Sequence, residues 1–208
     1  MLIYDLNLPA LESVLKEWNE PAYRAKQIWQ GLYQHLYSSP EQFSNLPNSL
    51  RSKMAEHFTF NPFTIKTYLD SSDKSTRKTL FQLPDGNLIE SVLMRYGDPA
   101  DEHSTSSENA SKQRRTLCIS TQAGCAMGCV FCATGQLGFK RNLSSGEIVA
   151  QVMYYAQTLK GQNEVVSNVV FMPAGRSGWR STRRHAWCRR CSRRRVPVFG
   201  PACCPSPA

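Results

Sequence analysis

The residues with the clearest chemical content are Cys125, Cys129 and Cys132, in the run Cys125-Ala126-Met127-Gly128-Cys129-Val130-Phe131-Cys132. Three thiols within eight residues converge on one centre only if the backbone wraps around it. Gly124 and Gly128 supply the φ freedom that such wrapping needs. Four cysteines would complete a zinc site or an ordinary iron–sulfur site. Three leave one iron of a cubane cluster without a protein ligand, and an open position is where a substrate or cosubstrate binds. The plainer alternative is half of a zinc site completed by a distant His or Cys, against which C-x3-C-x2-C is unusual spacing.

The segments around the loop read as an α/β unit. Thr116-Leu117-Cys118-Ile119-Ser120 is a short strand leading straight into it. Beyond the cysteines, Ser144 with Glu147 three residues on is a capping box. Ile148, Val149, Val152, Met153, Ala156 and Leu159 then mark an amphipathic helix that Gly161 ends. Val165 to Met172 is an apolar, β-branched run that fits a buried parallel strand. Strand, loop, helix, strand places the cysteines at the C-terminal end of a strand, where α/β barrels keep their chemistry.

Upstream the period changes. Residues 1–58 read as helical, with Pro9 and Pro21 each at a position where a helix can start. Tyr23, Gln27, Ile28, Leu32, Tyr33 and Leu36 recur at helical spacing, and Leu46-Pro47-Asn48 opens a third helix through Leu50, Met54 and Phe58. These apolar and aromatic residues read as a small helical core. The basic step Tyr23-Arg24-Ala25-Lys26-Gln27 is a solvated face or, beside an RNA enzyme, a phosphate contact. Phe63 to Leu69, Lys78 to Leu83 and Leu88 to Leu93 alternate as strands do, and Pro84-Asp85-Gly86-Asn87 is a tight turn that makes the last two a hairpin. Glu90 lies in the second strand of that hairpin, where a carboxylate ordinarily faces water. Residues 96–113 are polar and small and read as a loop.

The 208 residues suffice for one good-sized domain or two small ones. No apolar run reaches 18 residues and no signal-peptide pattern opens the chain, so a soluble cytoplasmic protein with no membrane partner is expected. Clustered thiols agree with a reducing compartment. The net charge of +9 is not spread over the chain. Residues 1–173 hold 16 Lys and Arg against 16 Asp and Glu, and the excess is nine arginines between Arg176 and Arg195. The charge therefore describes a tail and not the folded part.

The spacing of the three cysteines, with Phe131 just before the last, resembles the radical S-adenosylmethionine (SAM) enzymes. The match narrows with Glu20-Pro21-Ala22-Tyr23-Arg24-Ala25-Lys26-Gln27-Ile28-Trp29, Ile89-Glu90-Ser91-Val92, Thr116 to Cys125, and Asn168-Val169-Val170-Phe171-Met172. Together these resemble the bacterial RlmN-type enzymes, which methylate C2 of an adenine in 23S rRNA and tRNA. The resemblance implies an α/β fold in ordered parts. A helical N-terminal RNA-binding domain spans 1–60, a β-hairpin region 61–95 and a loop 96–113. Residues 114–172 are the first part of a radical SAM partial (β/α) barrel. It implies a [4Fe-4S] cluster on Cys125, Cys129 and Cys132 with SAM on the open iron, an external electron donor, rRNA and tRNA as partners, and a monomer. One SAM methylates a cysteine near the C-terminus of these enzymes, and a second yields the radical that activates that methyl group. Cys118 corresponds to the cysteine that releases the product, and Glu90 to the proton acceptor. The other readings are a relative acting at adenine C8, and a non-catalytic fragment that docks RNA through residues 1–95.

The match stops after Met172, where the family continues with Gly-Met-Gly-Glu-Pro and this chain reads Pro173-Ala174-Gly175-Arg176. Residues 173–208 form an Arg-, Cys- and Pro-rich tail without Ile, Leu, Lys, Asp, Glu, Asn, Gln or Tyr, a composition that builds no core. It resembles coding sequence read out of frame: Trp179-Arg180-Ser181-Thr182 back-translates, with a one-base shift, to Leu-Ala-Lys-Tyr. Cys188, Cys191, Cys203 and Cys204 with the arginines offer a zinc or nucleic-acid site as the alternative. They match none of the context of the methyl-carrying cysteine, so a chain unable to turn over, with an unfinished and aggregation-prone sheet edge, is expected.

Overall fold

The computed structural model describes residues 1–96 and 114–172. The loop expected over 96–113 lies outside them except for its first residue, and so does the tail from 173.

Three helices form the N-terminal part: α1 (Leu8–Glu17), α2 (Tyr23–Tyr33) and α3 (Asn48–His57). Asn7 caps α1 by accepting from the Ala10 amide at 2.8 Å, with Pro9 in the first turn as expected. Leu11, Leu15, Ala25, Ile28, Leu32, Leu50 and Met54 turn inward. Tyr23 does not: it is exposed, with the Arg24 guanidinium over its ring at 4.9 Å. It sits in the first turn of α2, off the buried face marked by Ala25, Ile28 and Leu32.

The strands are β1 (Thr64–Asp70), β2 (Thr76–Gln82), β3 (Leu88–Tyr96), β4 (Arg114–Ser120) and, later, β7 (Asn168–Met172), in the sheet order β1-β2-β3-β4-β7. The first three junctions are antiparallel and β4–β7 is parallel. Residues 61–95 and 114–172 thus share one sheet through β3 and β4. The β2–β3 turn is built as its sequence demands, Gly86 at φ +82° and its amide donating to the Leu83 carbonyl at 2.9 Å. Two strand readings change. Every residue of β1 is exposed, because β1 is an edge strand whose alternation matches no covered face. β7 has the expected parallel pairing but is not buried: Val170 and Met172 are exposed, since β7 forms the other edge among the described residues.

Helix α5 (Ser145–Lys160) is the centre of the molecule. Its capping box forms as expected, Ser144 Oγ accepting from the Glu147 amide while the Glu147 carboxylate accepts from the Ser144 amide. One side covers the sheet, where Tyr155 donates to Thr79 Oγ1 at 2.7 Å and Phe81 packs on Tyr154 and Tyr155. The other side meets the N-terminal segment. Asp5 Oδ1 accepts from the Gly146 amide at 2.6 Å and from Ser145 Oγ at 3.2 Å, and Oδ2 from Ser144 Oγ at 3.2 Å. A carboxylate is favoured there by the unsatisfied amides of the first turn. Buried residues from Ile3 to Val166 accordingly form one connected core spanning the helices, α5 and the sheet. Each large aliphatic side chain on α5 contributes roughly 1.5–3 kcal/mol by leaving water.

Candidate functional site

Alternation sorts the sheet into two faces. Ile89, Ser91 and Leu93 of β3 and Leu117 and Ile119 of β4 are buried against α5. Glu90 and Val92, with Cys118 and Ser120, take the opposite, half-covered face. Val92 is the register partner of Cys118. Continuing the antiparallel register by two residues sets Glu90 opposite Ser120, and Ser120 Oγ donates to the Glu90 carbonyl at 2.7 Å. Glu90 and Cys118 are thus diagonal neighbours on one face, about 7–8 Å apart in ordinary sheet geometry. Lys78 of β2, on the same face, puts its ammonium 2.7 Å from Glu90 Oε1. Burial pushes the Cys118 thiol up from its ordinary pKa, with no charged neighbour contributing.

The strand does not run straight into the cysteine loop as expected. β4 ends at Ser120, and a second ribbon, β5 (Gln122–Gly124) antiparallel to β6 (Phe139–Asn142), carries the loop at its tip. Where β4 leaves β3, Gln151 of α5 takes over the Ser120 backbone: Oε1 accepts from its amide at 2.9 Å and Nε2 donates to its carbonyl at 2.9 Å. Ser91 Oγ donates to the same Oε1 at 2.6 Å. Gln151 is fully buried, so this exit point of the loop is fixed by a helix.

The neck of the ribbon is tight. Gly124 has φ +71°, and a Cβ there would stand 1.9 Å from the Gly138 carbonyl oxygen, so no side chain fits. The Cys125 amide donates to that same carbonyl at 3.1 Å. Inside the loop, Gly128 takes φ +59°, the Cys132 amide donates to the Cys129 carbonyl at 3.1 Å, and Gln136 Nε2 donates to the Val130 carbonyl at 2.6 Å. A one-turn helix, α4 (Ala133–Gln136), follows Cys132. The Met127 amide donates to Cys125 Sγ at 3.4 Å. Val130 and Phe131 are largely exposed, at 84% and 88%.

All four cysteines of the described residues are free and partly exposed. Among those residues no three His, Cys, Asp or Glu side chains converge closely enough to hold a metal ion. Three soft donors on a glycine-bent loop fit an iron–sulfur centre in ligand type, whereas the loop as folded presents the thiols without gathering them.

Comparison with known proteins decides the lineage. Residues 2–60 match the family described as "Ribosomal RNA large subunit methyltransferase N-terminal domain". The chain is 46% identical over 178 residues to "Probable dual-specificity RNA methyltransferase RlmN" of Chloroflexus aurantiacus, covering 83% of this chain and 43% of that protein. It is 41% identical over 174 residues to "Dual-specificity RNA methyltransferase RlmN" of Campylobacter curvus, covering 83% and 45%. This chain belongs to the RlmN family. Its fold matches the crystal structure of a radical SAM methyltransferase from Sphaerobacter thermophilus, with a TM-score of 0.81 and 36% identity over 96% of this chain and 54% of that one. It spans less than half the length of the curated RlmN relatives it matches.

Three participants were not singled out by sequence pattern. Lys78, Gln151 and Arg141, the last ion-paired to Asp85 and Glu147, each act through a partner on another element. Arg141 had one local signal, the basic pair Lys140-Arg141 between a glycine-rich loop and a capping box.

Proposed function

We propose that this chain is the N-terminal part of a radical SAM methyltransferase acting on C2 of adenine in 23S rRNA and tRNA, a cytoplasmic, membrane-free enzyme. Residues 1–60 serve as its RNA-docking domain, with exposed Lys26 and half-buried Arg24 on α2. Cys125, Cys129 and Cys132 would hold a [4Fe-4S] cluster with SAM on its open iron, which when bound supplies the one-electron reduction that radical chemistry requires. Cys118 acts as the thiol that resolves the product from the enzyme, and its raised pKa keeps it protonated and inert at neutral pH until a base engages it. Glu90 is the proton acceptor, its carboxylate positioned by Lys78. The observation that carries this reading is that Glu90 and Cys118 share one sheet face on adjacent strands, the second of which is followed by the ribbon that bears the cysteine loop.

Anaerobic reconstitution with iron and sulfide tests it. About four irons per chain and a visible absorbance lost in Cys129→Ala but kept in Cys118→Ala are expected. Absence of cluster-dependent absorbance sinks the reading; RNA binding that persists regardless would then mark a non-catalytic RNA-binding fragment. Turnover is a separate question, decided by the coding DNA across codons 170–210. A one-base change restoring Gly-Glu-Pro and a downstream cysteine is the outcome this reading predicts for the active enzyme.

A further inference from the structure

We infer that Arg141 is a positioning residue that sets where the cysteine loop stands relative to the strand bearing Glu90. The loop rides on a ribbon whose pairing consists of Gln122 with Asn142, Ala123 with Arg141 and Gly124 with Phe139, interrupted by an irregularity before Gly124. A two-stranded ribbon that short does not hold its own position in water. Arg141 supplies the fixing. Its Nη1 and Nη2 donate to the two oxygens of Glu147 at 2.8 Å each, a fork that only a guanidinium matches. Its Nε donates to the carboxylate of Asp85, and Nη1 also reaches the Asn142 carbonyl at 3.2 Å.

Those partners lie on different elements. Glu147 belongs to the capping box of α5, four residues before Gln151. Asp85 sits in the β2–β3 turn, five residues before Glu90. One side chain therefore ties the return arm of the loop, the entry to the Glu90 strand and the head of the central helix. It touches none of the four cysteines, so its influence on them passes through the ribbon.

The test uses the whole chain in metal-free form and follows alkylation of each cysteine by peptide mass spectrometry, with Cys118 as internal reference. Loss of one or two kcal/mol of local closure raises the rates at Cys125, Cys129 and Cys132 by about 5- to 30-fold in Arg141→Gln. Cys118 is expected to stay within about twofold of wild type, since its strand is held elsewhere. Arg141→Lys does not restore the fork and stays fast, and Asp85→Asn, which removes one arm and keeps the fork, falls between. Arg115→Gln, which breaks a 2.7 Å ion pair with Glu164, leaves the loop rates at the wild-type value. Loop rates in Arg141→Gln equal to wild type overturn the inference, as does a parallel rise at Cys118 or in Arg115→Gln, which marks general loosening. If Arg141→Gln does not fold, Asp85→Asn decides alone by the same readout. The inference leans on the iron–sulfur reading only for a second signal, faster loss of cluster absorbance in Arg141→Gln. A wild-type chain that takes up no cluster defeats that reading and leaves the alkylation comparison intact.

Discussion

Gln151 holds Ser120 as a neighbouring strand would, accepting from its amide and donating to its carbonyl, both at 2.9 Å. The primary amide of the side chain has the donor and acceptor of a peptide group, so β4 can part from β3 without stranding buried backbone. Gln151→Leu keeps the bulk and removes the pairing. Each group left unsatisfied costs about 1–3 kcal/mol, and a total loss of about 3–5 kcal/mol is expected in urea unfolding. A variant within experimental error of wild type shows that the exit of β4 is held by something else.

Cys118 is expected to be a slow thiol at neutral pH. Burial raises its pKa, so thiolate appears only as pH climbs above the ordinary value of about 8.5. The alkylation rate should rise through pH 9 without a plateau there. The same shift has a sign for folding: the unfolded thiol ionises first, so this contribution to stability falls as pH rises through that range. A plateau below pH 8 contradicts the burial effect.

Asp5 and Gly146 should be coupled. A Cβ on Gly146 would stand 2.7 Å from the Asp5 amide nitrogen and 2.8 Å from its Cγ and Oδ1. Alanine in a helix is ordinarily favourable over glycine by up to about 1 kcal/mol, and here Gly146→Ala is expected to destabilise instead. Asp5→Ala alone costs about 1 kcal/mol of capping. The double variant should recover part of the loss, a coupling of about 1 kcal/mol in a thermal-melt cycle. Strict additivity would place the two residues apart in solution.

Acid should separate Asp85 from its partners. The Arg141 guanidinium beside it holds its carboxyl down at about 2, from an ordinary 3.8. A depressed folded-state pKa means a contribution present above about pH 4 and lost as pH falls toward 2. Wild type should melt above Asp85→Asn at pH 5, and the gap should close by pH 2. Glu164, also depressed by Arg115, titrates in both chains and cancels. A gap independent of pH removes the ion pair from the account.

What could be read from sequence was what local rules control. The Ser144–Glu147 capping box, the turn at Asp85-Gly86 and the start of α1 at Pro9 each depend on neighbours within four residues, and each formed as read. The β5–β6 ribbon escaped because Gln122-Ala123-Gly124 is too short to show a period, and its pairing is set by the close approach of Gly124 to Gly138. Alternation in β1 was real but meant nothing about burial, since an edge strand has no layer over it. Glu90 and Cys118 were named through family resemblance; their common face follows from the β3–β4 register, which joins strands separated by 17 residues, too long a connection to fix a register by its turn. Gln151 finds Ser120, 31 residues away, and Arg141 finds Asp85, 56 residues away, beyond any window of local pattern, although the other partner of Arg141, Glu147, is only six residues on.

The Asp5 carboxylate and the Gly146 amide lie 141 positions apart along the chain. During synthesis at about 5–20 residues per second, the first segment made waits roughly 7–28 s for the helix it will cap. Its other backbone partner is nearer in the chain, since Met1 and Ile3 pair with Thr59 just beyond α3. Helix α5 and, after it, β7 are made later, so the Asp5 carboxylate meets the amide it accepts from only once the second half of the chain exists.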